Sequence, residues 1–382
     1  MPELILRHPG PTPIPKKVEL AMQQTMFSHR SKEFQDLYAH VAQKAKMFFG
    51  TKNELIFLPS AGTAALEAAC INVLQPQDEI VIVSVGFFGD YFVEICQKLN
   101  VKIHLLKKEY GEGCSAEDLA EFLKPLTNIK AVFLTYNETS TGVLNPIKEL
   151  AQCVSLHSDA LIIVDGVSCI GAVDCQMDNW GVDIIVTGSQ KALMLPPGLA
   201  ILAISDKAWK VIRQNNVSSY YFNLEKYEQW AQNHMTPNTP AITLFSGLKA
   251  VCELVDEEGG LKEVIKRHEL TKNMTREGLK ALGFSLLVED KYASPTVTTV
   301  YTPGNLPTAD FTNHLKDNYR IDFAGGLGPI ATTVFRFGHM GHCYPSDVLQ
   351  ALSFIEAACV DLSIPITEGS SLVAAQKQFL RR

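Results

Sequence analysis

The chain has no apolar run approaching the ~20 residues that a membrane-spanning helix requires. It also has no excess of basic charge: 34 Lys and Arg stand against 41 Asp and Glu, a formal net charge of −7. Neither a membrane span nor a nucleic-acid partner is therefore expected, because nucleic-acid binding shows as a basic surface. No CxxC occurs among the nine cysteines, at 70, 96, 114, 153, 169, 175, 252, 343 and 359. An odd, scattered set fits reduced core thiols better than a disulfide framework. The opening residues Met1-Pro-Glu-Leu-Ile-Leu-Arg-His-Pro carry no signal-peptide core, so a cytoplasmic location is the expectation. No GxGxxG follows the first strand-like run, which argues against a dinucleotide-binding oxidoreductase. His339-Met-Gly-His342 is an isolated HxxH containing a glycine, a weak metal motif, and no metal is expected.

What is present is ordinary for a soluble enzyme: 382 residues, 46% hydrophobic and 20% charged, enough chain for two domains with a deep site between them. From about residue 55 to 205, apolar runs alternate with helix-like stretches. The runs are Leu55–Leu58, Glu79–Ser84, Val101–Leu106, Ala131–Thr135, Leu161–Val164, Asp183–Thr187 and Leu199–Ser205. Continuous short apolar runs of this kind predict an α/β fold with a mostly parallel, seven-stranded sheet covered by helices. Ser115 with acids behind it, and Pro146, open two of the crossover helices. A long helical stretch at about 241–281, broken at Gly259-Gly260, leads into a smaller α+β part. That part has strands expected at Phe284–Val288, Thr296–Tyr301 and Val334–Phe337, and helices near 308–317 and 345–360. The expected division is a large domain over 12–255 and a small C-terminal domain over 256–382, with residues 1–11 packing near the active site.

The most informative segment is Gly188-Ser-Gln-Lys191-Ala-Leu-Met-Leu-Pro-Pro-Gly198, which follows the strand-like Leu161-Ile-Ile-Val-Asp165. A lysine on a small-residue turn between apolar strands has its amine desolvated, which lowers its pKa and lets it form an imine with an aldehyde. A carboxylate at the carboxyl end of the preceding strand can pair with a protonated ring nitrogen. Pyridoxal phosphate needs both partners, because its ring withdraws electrons only while that nitrogen is cationic. Ser60-Ala61-Gly62-Thr63 opens an alanine-rich helix whose free N–H groups suit a phosphate. Phe88, in a glycine-flanked loop, can stack on a ring, and Asn137-Glu-Thr-Ser140-Thr-Gly142 offers hydroxyls on the same sheet edge, where open α/β folds bind ligands.

These segments, together with His8-Pro-Gly10-Pro-Thr-Pro13 and Val334-Phe-Arg336-Phe-Gly338, resemble the class V aminotransferases of fold type I, closest to the alanine–glyoxylate / serine–pyruvate branch. The resemblance spans about residues 8–360. It implies pyridoxal 5′-phosphate as cofactor, with Lys191 forming the imine, Asp165 on the ring nitrogen and Ser140 beside the ring. Ala61, Gly62, Thr63 and Gln190 fall on the phosphate side. Arg336 and Gly10 fall on the substrate side, the arginine gripping a carboxylate. Thr239 matches a threonine that reaches the phosphate from a neighbouring subunit, implying a homodimer with active sites at the subunit interface. Phe88 replaces a tryptophan of the eukaryotic alanine–glyoxylate enzymes, Thr236 a tyrosine and Thr63 a histidine. The expected activity is transfer of the amino group of alanine or serine to glyoxylate or pyruvate by a ping-pong mechanism. The expected partners are thus small amino acids and 2-oxo acids. His29 and Arg30 could furnish a second cation for a larger donor. The alternatives are a 2-aminoethylphosphonate–pyruvate aminotransferase and a cysteine desulfurase-like lyase; the latter needs a mobile nucleophilic cysteine, and none lies between 253 and 342.

Overall fold

The computed structural model describes residues 4–381; Met1–Glu3 and Arg382, which the expected divisions include, lie outside them. Thirteen strands form three sheets among the described residues. The largest has seven strands: β2 (Leu55–Leu58), β3 (Glu79–Ser84), β4 (Lys102–Lys107), β5 (Ile129–Thr135), β8 (Leu161–Asp165), β9 (Ile184–Gly188) and β10 (Ala200–Ile204), in the order β2-β10-β9-β8-β5-β3-β4. The α/β fold with a mostly parallel seven-stranded sheet is thus as expected from the apolar runs. Strand residues alternate between two buried layers, with Val81, Val132 and Ile162 on one face and Ile80, Ala131 and Leu161 on the other. Burying each such side chain contributes roughly 1.5–3 kcal/mol. Both faces are covered, so the strands read as unbroken apolar runs rather than alternating ones.

Only β10 runs against its neighbours: it is antiparallel to β9 and to β2. Parallel neighbours require a long crossover, whereas an antiparallel pair can be joined by a short connection. Lys191 sits in that connection, between Gly188 and Ala200, held close to the sheet edge by the bonds Ser189 N–H to Leu199 C=O and Leu195 N–H to Ser189 C=O.

A second, four-stranded sheet has the order β1-β12-β13-β11, from β1 (Ile5–Arg7), β12 (Ile321–Gly325), β13 (Val334–Gly338) and β11 (Val297–Tyr301). Its third apolar cluster packs under the helices Leu261–Ala281 and Pro345–Asp361. The helical stretch after Pro240 breaks where the glycine pair lies: Ile242–Glu257 ends and Leu261–Ala281 begins across Gly259 and Gly260, both in the left-handed region (φ 102° and 97°). Phe284–Val288 does not form the expected strand. It runs beside β11 through one bridge, Leu286 to Val300, and the bonds Leu287 N–H to Thr299 C=O and Tyr301 N–H to Ser285 C=O. The turn at Gly283 (φ 84°) and the 3-10 turn Asp290–Tyr292 leave it too short for a ladder. A small hairpin, β6 (Asn137–Glu138) with β7 (Val143–Leu144), follows β5. No helix among the described residues is long and apolar enough to cross a membrane.

Candidate active site

The carboxyl ends of β2, β3, β5, β8 and β9 converge on a cavity of about 130 Å³ lined by Gly62, Thr63, Leu66, Phe88, Tyr91, Thr139, Asp165, Val167, Ser168, Gln190 and Lys191. Desolvation lowers the Lys191 amine to about 8, helped by the Arg336 cation and opposed by Asp165. The amine donates to the Pro9 carbonyl at 2.6 Å. Desolvation raises Asp165 to about 7, against the Val167 N–H that donates to its Oδ1 at 2.8 Å; the Glu138 charge raises it further and Lys191 opposes. An amine poised near neutrality and a buried acid beside it suit imine chemistry on a cationic ring.

The helix Gly62–Val73 opens into this cavity with Ala61 at its N-cap and no side-chain cap. Nearby, the buried Ser60 Oγ and Gln190 Oε1 have no hydrogen-bond partner among the described residues. A Cβ on Gly62 would come within 2.7 Å of Val167, so the turn has no room for a larger residue. Gly10 passes over the lysine at φ 111°, where a Cβ would stand 2.7 Å from Lys191 Nζ. Thr12 fastens the same segment by donating its N–H to Gln190 C=O and its hydroxyl to Lys191 C=O.

Phe88 lies in the first turn of the helix Phe87–Gln97 rather than in a loop. That helix begins early because a capping carboxylate comes from elsewhere in the chain: Glu138 accepts from the Phe88 and Gly89 N–H groups at 3.0 and 2.9 Å. Thr139 lines the cavity, whereas the Ser140 hydroxyl donates to Glu138 Oε1 at 2.7 Å and accepts from the Phe87 N–H. Arg336, buried on β13, donates through Nε to Gly325 C=O and through Nη1 to Thr139 C=O; Nη2 makes no hydrogen bond among the described residues. Thr239 is exposed and is not among the cavity-lining residues. Arg30 is engaged elsewhere, donating to the Thr236 carbonyl at 2.7 Å and lying over the Trp230 ring. His339 is buried and bonded through both nitrogens, to Pro295 C=O and to Thr298. Among the described residues no group of three or more His, Cys, Asp or Glu could hold a metal ion.

The class-V aminotransferase family model matches residues 5–332. The chain belongs to that family. This aminotransferase is 35% identical over 380 residues to the soluble hydrogenase 42 kDa subunit of Anabaena cylindrica, covering 99% of each chain. It is 34% identical to the L-aspartate–glyoxylate aminotransferase of Paracoccus denitrificans, over 97% of this chain and 95% of that one. It is also 34% identical to the serine–glyoxylate aminotransferase of Arabidopsis thaliana, over 96% and 93%. Among solved structures, ureidoglycine–glyoxylate aminotransferase of Bacillus subtilis superposes with a TM-score of 0.92 at 29% identity, over 99% of this chain and 98% of that one.

Class-V membership implies pyridoxal phosphate, and the donor set of this aminotransferase fits it. An uncapped helix start opens into the cavity and an orphaned Ser60 hydroxyl lies just before it, donors of the kind a phosphate takes. The Gln190 amide joins them, since turning it over places an N–H₂ donor where the orphaned oxygen stands. Tyr91, Val167, Ser168 and Glu138 were not singled out from sequence. Tyr91 was within reach of a helix reading, standing three residues after Phe88 on the same face. Glu138 had one signal, an acid in the middle of a run of small hydroxyl residues.

Proposed function

We infer that the chain is a pyridoxal-phosphate-dependent transaminase that passes the amino group of a small donor, alanine or serine, to glyoxylate or pyruvate. The observation that carries this is one small cavity holding both an amine lowered to about 8 and a buried acid raised to about 7. The bound cofactor supplies the electron-accepting ring that makes the α-C–H bond of an amino acid acidic. Asp165, ionised once a ring cation stands against it, fixes that ring's charge. Lys191, with its amine neutral, would take the α-proton as a base and return it as an acid in the second half of the exchange. Gly62, Thr63 and Gln190 hold the phosphate, and Phe88 covers the ring.

Arg336 offers its unengaged Nη2 edge to the substrate carboxylate, a charge-assisted bond in a buried setting. The first product departs before the 2-oxo acid arrives, so the kinetics are ping-pong. Glyoxylate is named for both aminotransferase relatives cited above, which supports it as acceptor. A small donor is favoured because the cation acting on Lys191 is Arg336, while Arg30 is engaged with the Thr236 carbonyl and the Trp230 ring. A second copy of the chain brings Thr239 to the phosphate, giving a homodimer. Residues 12–255 then form the cofactor-binding domain and 256–382 the smaller one. Nine free, buried cysteines suit the reducing cytoplasm.

The test is half-reaction spectroscopy. Alanine or serine should bleach the visible band of the holoenzyme within seconds, and glyoxylate or pyruvate should restore it. Borohydride trapping followed by peptide mapping should label Lys191; a label on another lysine, or none, removes the assignment.

A further inference from the structure

We propose that Glu138 is the positioning residue of this site, a buried acid that sets where the Phe88 ring and the Ser140 hydroxyl stand relative to the cofactor. The proposal rests on the pyridoxal-phosphate reading above. Glu138 is fully buried, and a lone carboxylate there would cost several kcal/mol. It persists because four donors meet it. Oε1 accepts from the Ser140 N–H at 2.9 Å and the Ser140 hydroxyl at 2.7 Å, and Oε2 from the Phe88 and Gly89 N–H groups.

These bonds tie together two pieces of chain that share no strand ladder: the start of the helix carrying Phe88 and Tyr91, and the β6–β7 hairpin carrying Thr139 and Ser140. A helix start is ordinarily capped by a small polar side chain at its own N-cap. Here the N-cap is Gly86, and a Cβ on it would lie 2.6 Å from Glu138 Cγ and 2.7 Å from Ser140 Oγ. The local cap has been given up to make room for the distant one. Ser140 then passes the arrangement on, since its hydroxyl donates to Glu138 and accepts from the Phe87 N–H at 3.1 Å.

A further observation separates Glu138 from a simple helix cap. Its charge acts on both Asp165 and Arg336, favouring the protonated form of each. Arg336, desolvated by burial, is kept cationic partly by this acid. With four donors already on its oxygens, Glu138 has no lone pair to spare for substrate, so it acts through its neighbours.

The test compares wild type, Glu138→Gln and Gly86→Ala. The amide keeps the shape of the acid but turns an N–H₂ toward backbone donors, and the alanine displaces the acid without removing it. Stripped protein is titrated with pyridoxal phosphate, and affinity, the visible-region circular dichroism of the bound cofactor and the thermal midpoint of the stripped chain are recorded. Both variants should bind about tenfold or more weakly, as loss of the charge-assisted bonds that place Phe88 and Ser140 predicts, and both should change the sign or size of the visible dichroism. In a Ser140→Ala background the effect of Glu138→Gln should shrink, because the two residues act as one unit. Wild-type affinity and dichroism in either variant, even with a lowered thermal midpoint, would make Glu138 a structural cap and overturn the proposal. If Glu138→Gln does not fold, Gly86→Ala decides alone. Failure of the wild-type protein itself to bind pyridoxal phosphate is a separate result and removes the cofactor reading first.

Discussion

The two main sheets each carry one of the site's basic side chains, and they reach it by opposite routes. Lys191 belongs to the seven-stranded sheet, whose strands follow one another from residue 55 to 204 with helices between. Arg336 belongs to the four-stranded sheet, assembled from residues 5–7, 297–301, 321–325 and 334–338, with its first strand taken from the far end of the chain. The first sheet is a local construction that places Asp165 and Lys191 along one edge. The second is a long-range construction that brings Arg336 to that edge and carries the N-terminal segment over the lysine. In the function proposed above, cofactor chemistry and substrate selection lie on separate frames that meet at the Pro9 carbonyl and at the Thr139 carbonyl held by Arg336.

If that division holds, substitutions on the two frames should separate kinetically. Lys191→Ala should lower turnover by on the order of 10³-fold or more and abolish borohydride labelling, with the thermal midpoint of the stripped chain nearly unchanged. Arg336→Lys should reduce kcat/KM for the amino acid by roughly 10- to 100-fold through loss of the planar fork, while cofactor affinity measured by titration stays within twofold. An equal loss of both from Arg336→Lys would merge the two frames into one.

The frames should also differ in their response to pH. Lys191 must be neutral to attack the aldehyde, and its value is lowered to about 8. The rate of cofactor capture by the stripped enzyme should therefore rise with pH through a midpoint near 8, instead of near the ordinary 10.5. In the small frame, burial lowers His268 and His339 from 6.5 to about 3, with both rings neutral and hydrogen-bonded. Below pH 6.5 the unfolded chain binds protons that the folded chain excludes. Stability is therefore complete above 6.5 and is lost as the pH falls from 6.5 toward 3. Urea midpoints measured across that range should fall, and replacing His339 should flatten the fall. The smallest effect is expected at Ser115→Ala, which removes a capping box remote from the cavity. It should cost about 1 kcal/mol of stability and leave kinetic constants unchanged.

The same contrast explains what could be read from sequence. Strands buried on both faces announce themselves as apolar runs, so β2 to β5 and β8 to β10 were legible to within a residue or two, and with them the edge that holds Gly62, Asp165 and Lys191. β1 and β12 were not, because three and five residues of mixed burial make no pattern until their partners are known. Phe284–Val288 has the composition of a strand but only one bridge, since bounding turns limit pairing in ways composition does not record. The glycines around Phe88 signal a loop; the carboxylate that makes it helical stands fifty residues away, at Glu138. Single residues whose chemistry depends on a strand end were visible. Residues whose role depends on a contact between distant segments were not.

The pairing of Ile5–Arg7 with Ile321–Phe323 also has a bearing on the order of events during synthesis. Residues 5–7 leave the ribosome with no ladder to join until β12, more than 300 positions later, has been made, and contacts so far apart in the chain form late. The seven-stranded frame, by contrast, is complete once Ile204 has emerged. A nascent chain therefore holds an uncovered Lys191 while residues 192 to 321 are added, and the Pro9 carbonyl settles on that amine only after β12 has been made.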